Sequence, residues 1–358
     1  MEMPSGIERF VRPQFRGFTG YSASTSPDTL EGKVEVSQRD IVKLNANENP
    51  YGCSPRVLKA LAEKPEYHIY PDNGQQMLRR TIAKYAGFPA ERIVAGHGSN
   101  SLIDYLVRLF VGPGDEVINF SPTFDLYRFS TQMYGGTLVN IPRDDNFNID
   151  VTKTLSFVNE KTRLIFLATP NNPTGTVIGQ GDIRRLLETG IPVIIDEAYY
   201  EFSGETSMPL AAEFDNLIVL RSFSKWAGLA GLRVGYGVFP LRIAEYLMAI
   251  KIPHNVSAAA EIAVRESLAD LDYLQSRIRD IVNERERLFT ELKKIPFLTP
   301  FPSQANFIYC LVKDGQATAL HDALERKGVL IRNFTTSVRI SVGKPEQTDK
   351  LIRALRTI

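Results

Sequence analysis

The sequence predicts an α/β protein with a largely parallel sheet and a second, smaller α/β domain. Short runs rich in Ile, Val and Leu alternate with longer amphipathic stretches, the βα rhythm of a parallel sheet. The length, 358 residues, is enough for about two domains, and 43% apolar residues supply a core. From about Ile252 the texture changes to long charged helical stretches, then short apolar runs and a closing helix.

Taken in chain order, the residues before Asn45 read as an arm rich in Arg, Phe and Ser. "RIVAG" reads as a strand leading into "SLIDYLVRLFV", where Leu102, Ile103, Leu106, Val107 and Phe110 share one helical face. "DEVINF" follows as a strand, then the helix-like "FDLYRFSTQMYG". "RLIFLATP", "IPVIIDEAYY", "NLIVLRSF" and "LRVGYGVF" are further strands. Ala258 to Lys294 reads as helix, and "QANFIYCLV", "GVLIRNF" and "SVRISVG" as strands of the second domain. These readings divide the chain into an arm (1–44), a large domain (45–252) and a small domain (253–358).

Composition excludes several functional classes. Lys plus Arg is 42 and Asp plus Glu is 41, a net charge of +1, which argues against nucleic acid or a membrane surface as the main partner. Cys53 and Cys310 are too few for a disulfide scaffold and read as two buried thiols. His68, His97, His254 and His321 form no HxH or HExxH pair, so no metal site is expected. No apolar run approaches the ~18 residues of a membrane span. The first residues, with Glu2, Glu8, Arg9, Arg12 and Arg16, carry no secretory pattern. The expectation is a cytoplasmic protein.

In open parallel sheets, ligands bind beyond the carboxyl ends of the strands. Polar clusters follow four of the predicted strands: Gly96 to Asn100, Thr169 to Gly175 ("TPNNPTG"), Asp196 to Tyr199, and Arg221 to Lys225. At the first cluster, free N–H groups at Ser99 and Asn100 can face a phosphate, although Ser and Asn before a helix are ordinarily no more than caps. Ser222, Ser224 and Arg233 can add donors to the same anion. Asp196 closes an apolar strand, where a carboxylate is either a cap or salt-bridge partner, or the acceptor for a pyridinium nitrogen. Lys225 is either a solvated loop lysine or a Schiff-base lysine, activated by partial desolvation beside other cations. With Asn172 and Tyr199 on the same rim, the set points to pyridoxal phosphate.

"TPNNPTG", "DEAYYEF" and "SFSKWAGLAGLRVGYG", in that order, resemble the aspartate-aminotransferase-like superfamily of fold type I pyridoxal phosphate enzymes. "LNANENPYG", "YPD", "GHGSN", "IRNF" and "VRISVGKPEQTDKLIRAL" resemble the histidinol-phosphate aminotransferase family, and "SKWAGLAGLRVGYGVFP" with "ERERLFTELKKIPFL" its plant-type branch. The resemblance covers nearly the whole chain. It implies a fold type I transferase with a seven-stranded, mostly parallel sheet in the large domain and a smaller α/β C-terminal domain.

The resemblance also implies roles. Lys225 would carry the cofactor and move the proton at the substrate's Cα. Asp196 would pair with the pyridinium nitrogen, and Asn172 and Tyr199 would bond the cofactor's phenolic oxygen. Phe124, where the family often has Tyr, would stack on the ring. Ser99, Asn100, Ser222, Ser224 and Arg233 would hold the cofactor phosphate, reached by Tyr70 of a second subunit in a homodimer with shared active sites. Arg332 and Arg339 would bind substrate anions, with Tyr21 and Asn47 on the substrate side and the arm over the active site. Only six residues, "NFTTSV", separate the two arginines, where the family usually has a longer loop. The implied reaction converts L-histidinol phosphate and 2-oxoglutarate to imidazole acetol phosphate and glutamate, in histidine biosynthesis. Two other enzymes fit the scaffold: a broad aromatic or neutral amino-acid aminotransferase, and threonine-phosphate decarboxylase. A cofactor-binding regulator without turnover fits poorly, because few residues precede Asn45 and such regulators usually carry an appended DNA-binding domain.

Overall fold

The computed structural model describes residues 6–16, 18, 20, 37–63 and 66–358. Its strands, in chain order, are β1 (Val42–Lys43), β2 (Ile93–His97), β3 (Glu116–Ser121), β4 (Thr137–Pro142), β5 (Thr162–Ala168), β6 (Val193–Asp196), β7 (Leu217–Ser222), β8 (Val234–Val238), β9 (Leu298–Pro300), β10 (Phe307–Val312), β11 (Val329–Leu330), β12 (Arg332–Asn333) and β13 (Ser337–Ser341). Four helices matter below: α1 (Pro55–Glu63), α2 (Gln76–Ala86), α3 (Gly98–Phe110) and α4 (Leu126–Met133).

The main sheet has seven strands in the order β2-β8-β7-β6-β5-β3-β4, as the resemblance implied. Only β8 runs against the others. That arrangement positions the site twice over. The carboxyl ends of β2, β5, β6 and β7 meet at one rim, which brings the four polar clusters together. Because β8 is antiparallel, it starts at that same rim, so Arg233, just before Val234, arrives there as well.

Both faces of the sheet are covered, so alternate strand residues enter different cores. Val193 and Ile195 pack on one side and Ile194 on the other. Likewise Ile165 and Leu167 oppose Leu164 and Phe166. Of the helical face read from the sequence, Leu102, Ile103, Leu106 and Val107 of α3 are fully buried, while Phe110, at the helix end, is half-buried against the same core.

The C-terminal part carries a four-stranded antiparallel sheet, β12-β13-β10-β9. It is stitched to the N-terminal part at two places. β1, at the end of the predicted arm, pairs in parallel with β11. The helix Ala258–Leu268 packs on α1 and α2. Cys310 is buried and Cys53 half-buried, both as free thiols. Among the described residues no group of His, Cys, Asp and Glu could hold a metal ion, and no helix is long and apolar enough to cross a membrane.

Candidate active site

Every predicted site residue except Tyr70 and Tyr21 lines one cavity of about 770 Å³ at the rim. Tyr21 lies outside the described residues. Tyr70 is 81% exposed and stacks on His254, with ring centroids 4.8 Å apart. Within one chain it does not reach the cavity lining.

One end of the cavity is built for an anion. α3 starts there with no side-chain cap; the Gly98 N–H is taken by the Arg233 carbonyl at 3.0 Å, and the helix start is a focus of positive potential. Gly98 has φ +72°, and a Cβ on it would come within 2.8 Å of Arg233 Nη2, so only glycine lets the guanidinium lie against the helix start. Arg233 Nη1 donates to Ser224 Oγ (3.4 Å) and to the Ala230 carbonyl (3.0 Å). Ser222 Oγ accepts the Ser224 N–H at 3.1 Å. Helix start, two hydroxyls and a guanidinium thus face one space.

At the carboxyl end of β6, Asp196 is 5% exposed. Its Oδ2 accepts from Tyr127 Oη at 2.8 Å and its Oδ1 from the Ala198 N–H at 3.1 Å. Burial pushes its pKa up to about 6, helped by the Glu197 charge and opposed by the two hydrogen bonds. Tyr127 is itself held by stacking on Phe166, with centroids 4.7 Å apart, and by the edge of Phe124 at 5.8 Å. Sequence reasoning missed Tyr127. Its one signal is position: it follows Phe124 by three residues, the spacing that puts two side chains on one helical face.

Lys225 stands on the loop after β7. Gly228 in that loop has φ +69°, and a Cβ on it would strike the Gly52 backbone at 2.3 Å, so the loop presses directly on segment 44–53. Lys225 Nζ accordingly donates to the Ala46 carbonyl at 2.8 Å. Burial lowers its pKa to about 7, Arg339 and Arg233 reinforce the shift, and Glu48 opposes it. Trp226 beside it packs against Tyr85 and Phe223.

The opposite wall comes from the β12–β13 hairpin. Arg332 and Arg339 are register partners on adjacent antiparallel strands joined by a tight turn over residues 334–336, which sets both arginines on one face. Both arginines line the cavity. Arg339 Nη1 donates to Asn172 Oδ1 (2.5 Å) and its Nη2 to the Asn45 carbonyl (2.8 Å). A guanidinium can only donate, so the oxygen of the Asn172 amide faces Arg339 and its Nδ2 donor is turned elsewhere. Asn47 lines the cavity with both polar side-chain atoms bonded to protein: its Nδ2 donates to Tyr199 Oη (2.9 Å) and its Oδ1 accepts from Ser341 Oγ (2.8 Å).

Just behind the rim lies a buried ion pair that the sequence did not reveal. Arg221 Nε and Nη2 donate to Glu197 Oε2 at 3.0 and 2.9 Å, and Glu197 also accepts from the Ser207 N–H and the Thr206 hydroxyl. Arg221 lies 3.6 Å over the ring of Tyr200.

These residues fit pyridoxal phosphate. The anion end suits its phosphate, the buried Asp196 carboxyl suits its ring nitrogen, and an amine that sheds its proton near neutrality suits its aldehyde.

The Aminotransferase class I and II family matches residues 39–355. A histidinol-phosphate aminotransferase of Dehalococcoides mccartyi is 47% identical, over 99% of both chains. Histidinol-phosphate aminotransferase 1, chloroplastic, of Arabidopsis thaliana is 43% identical, over 98% of this chain and 86% of its own. Among solved structures, histidinol-phosphate aminotransferase from Sinorhizobium meliloti in complex with pyridoxal-5'-phosphate superposes with a TM-score of 0.88 at 26% identity, over 99% of each chain. The chain belongs to the class I and II aminotransferases.

Proposed function

We propose that this protein is a pyridoxal-phosphate-dependent histidinol-phosphate aminotransferase, moving an amino group between L-histidinol phosphate and 2-oxoglutarate. The observation that carries the substrate reading is the Arg332–Arg339 register pair at the cavity wall. Guanidinium groups bind phosphate and carboxylate alike, so one wall can serve a phosphate ester first and a dicarboxylate second.

When bound, the cofactor supplies an electron sink that makes the proton at the substrate's Cα labile. The chain's residues do the rest. The α3 start, Ser99, Asn100, Ser222, Ser224 and Arg233 hold the cofactor phosphate. Asp196 holds the proton on the ring nitrogen, and Phe124 covers the ring face. Asn172 Nδ2 and the Tyr199 hydroxyl donate to the phenolic oxygen. Lys225, whose burial brings its pKa down to about 7, would carry the cofactor between turnovers and take and return the Cα proton. Arg332 and Arg339 orient the substrate anion, with Tyr21 and Asn47 on the substrate side.

The finer parts of the proposal are a homodimer with shared active sites, an arm (1–44) over the active site of a large domain (45–252) and small domain (253–358), and a cytoplasmic location. The exposed Tyr70 supports the dimer, since it would reach a partner's cofactor phosphate. The two free thiols support a reducing compartment.

The test is a spectral titration of cofactor-loaded protein with L-histidinol phosphate, phenylalanine and threonine phosphate in parallel. Conversion of the bound cofactor to its amine form at low L-histidinol phosphate, reversed by 2-oxoglutarate, is the expected result. Phenylalanine acting equally well would replace the reading with a broad aromatic aminotransferase. Carbon dioxide release from threonine phosphate would replace it with the decarboxylase.

A further inference from the structure

Tyr199 is held from behind by a chain of hydrogen bonds that begins on the far side of the cavity. Ser341 closes β13, two residues after Arg339 and on the same face of the strand. Its Oγ accepts the Asn47 N–H at 2.8 Å. A hydroxyl has one proton, and that of Ser341 goes to Asn47 Oδ1, also at 2.8 Å. The oxygen of the Asn47 amide is thereby pinned to Ser341, and its nitrogen must face the other way. There Nδ2 donates to Tyr199 Oη at 2.9 Å. The Asn47 backbone is fixed too, at φ +54°, and its carbonyl accepts from Asn306 Nδ2 at 3.0 Å. All three side chains are buried.

The consequence is a direction. A phenol that accepts from an amide N–H must spend its own hydrogen as a donor elsewhere. We infer that Asn47 and Ser341 are positioning residues that make Tyr199 an obligate hydrogen-bond donor toward the cofactor's phenolic oxygen. With the amide reversed, Oδ1 would face Tyr199, draw the phenol's hydrogen to itself and turn the donor away from the cavity. Ser341 opposes the reversal, which would bring Nδ2 to its oxygen and deprive its one proton of the Asn47 acceptor. Position 47 thus acts on the cofactor through Tyr199, in addition to lining the substrate space. The inference rests on the cofactor assignment above.

The test reads the pH midpoint of the bound cofactor's visible absorption in the holoenzyme. A phenolic oxygen with one donor fewer holds a proton more tightly, so losing the Tyr199 donor raises the midpoint. Lys225, Arg339, Arg233, Glu48 and Lys43 are the charges near this corner, with Asp196 and Arg332 on the same cavity; all are unchanged in every variant used, and only Asn47→Asp adds a charge of its own. One hydrogen bond corresponds to a rise of roughly half a unit to one unit. Tyr199→Phe, Ser341→Ala and Asn47→Gly are each expected to show it, glycine being the substitution that tolerates the positive φ. Ser341→Thr keeps the hydroxyl and is expected to restore the wild-type midpoint. Asn47→Asp, which can only accept, is expected to give the largest rise. The Ser341→Ala/Tyr199→Phe double variant is expected to shift no further than Tyr199→Phe alone, because both remove the same donor. A Ser341→Ala midpoint equal to wild type, or shifts that add in full in the double variant, would overturn the relay and leave the contact of Tyr199 standing. An unshifted Tyr199→Phe would overturn the relay and that contact together.

Discussion

Two layers of buried charge lie one residue apart, and the protein treats them in opposite ways. In the deeper layer, Glu197 meets Arg221 through two nitrogens and takes further bonds from Ser207 and Thr206. In the layer facing the cavity, the described residues give Asp196 only neutral donors, Tyr127 and a backbone N–H, and give Lys225 only a carbonyl. The first layer is compensated within the protein. The second waits for charges that the protein does not itself contribute. Adjacent residues of one strand end therefore divide the work: Glu197 ties the turn after β6 to Arg221 of β7 and to Thr206 and Ser207, while Asp196 is kept at an elevated pKa for a ligand.

Breaking the deeper layer should have the largest effect on stability. Arg221→Met leaves Glu197 buried without its ion partner, at a cost of about 3–5 kcal/mol. Urea denaturation of the cofactor-free protein measures it, and a loss under about 1 kcal/mol would mean that Glu197 is not dependent on Arg221. Changes in the cavity layer should have the opposite sign. Lys225→Met is expected to stabilise the cofactor-free protein near pH 7 by roughly 2–4 kcal/mol, reduced from the full shift because the amine opens onto the cavity. The sign follows from linkage. The folded lysine sheds its proton near 7 and the unfolded one near 10.5, so the unfolded state binds more protons between them and stability rises with pH across that window. The Met variant should lose both this slope and all transamination. The smallest effect is expected from Asp196→Asn. A carboxyl raised to about 6 contributes stability below its ordinary 3.8 and loses it as pH rises through 6. Asparagine should remove that loss, leaving the cofactor-free protein about 1–3 kcal/mol more stable at neutral pH while turnover falls by about 10²-fold or more. Denaturation at pH 4 and pH 7 separates this from a general effect of the substitution.

Much of this arrangement is visible in the sequence because it is local. Strand, polar cluster and helix start follow one another within a few residues, so the four clusters and Lys225 could be read in order. Arg233 was legible as a phosphate donor, but its route to the rim was not, since that depends on β8 running against its neighbours. What stayed hidden is long-range. Ser341 lies 294 residues from Asn47, and no spacing rule joins a serine after a strand to an asparagine before a helix. Arg221 and Glu197 were both quoted at strand ends, yet either could have been a surface charge, and only their burial identifies the pair. Tyr127 sat inside a helix-like stretch, where an aromatic residue is ordinarily core. It is core, and its hydroxyl adds the bond to Asp196.

The pairing of β1 with β11 has a consequence for how the protein is made. Segment 44–49, which supplies Ala46 to Lys225 and Asn47 to Tyr199, enters the site directly from β1. β1 pairs with residues 329–330, and Asn47 is locked by Ser341. On a growing chain these partners emerge after every strand of the main sheet has been synthesised. The loop over Lys225 therefore stays without that anchor until residues 329–341 have emerged, and the wall carrying Arg332 and Arg339 arrives in the same step. The catalytic cavity is thus assembled only after the main sheet, and a chain truncated before Val329 would carry every main-sheet strand with an open, unlocked site.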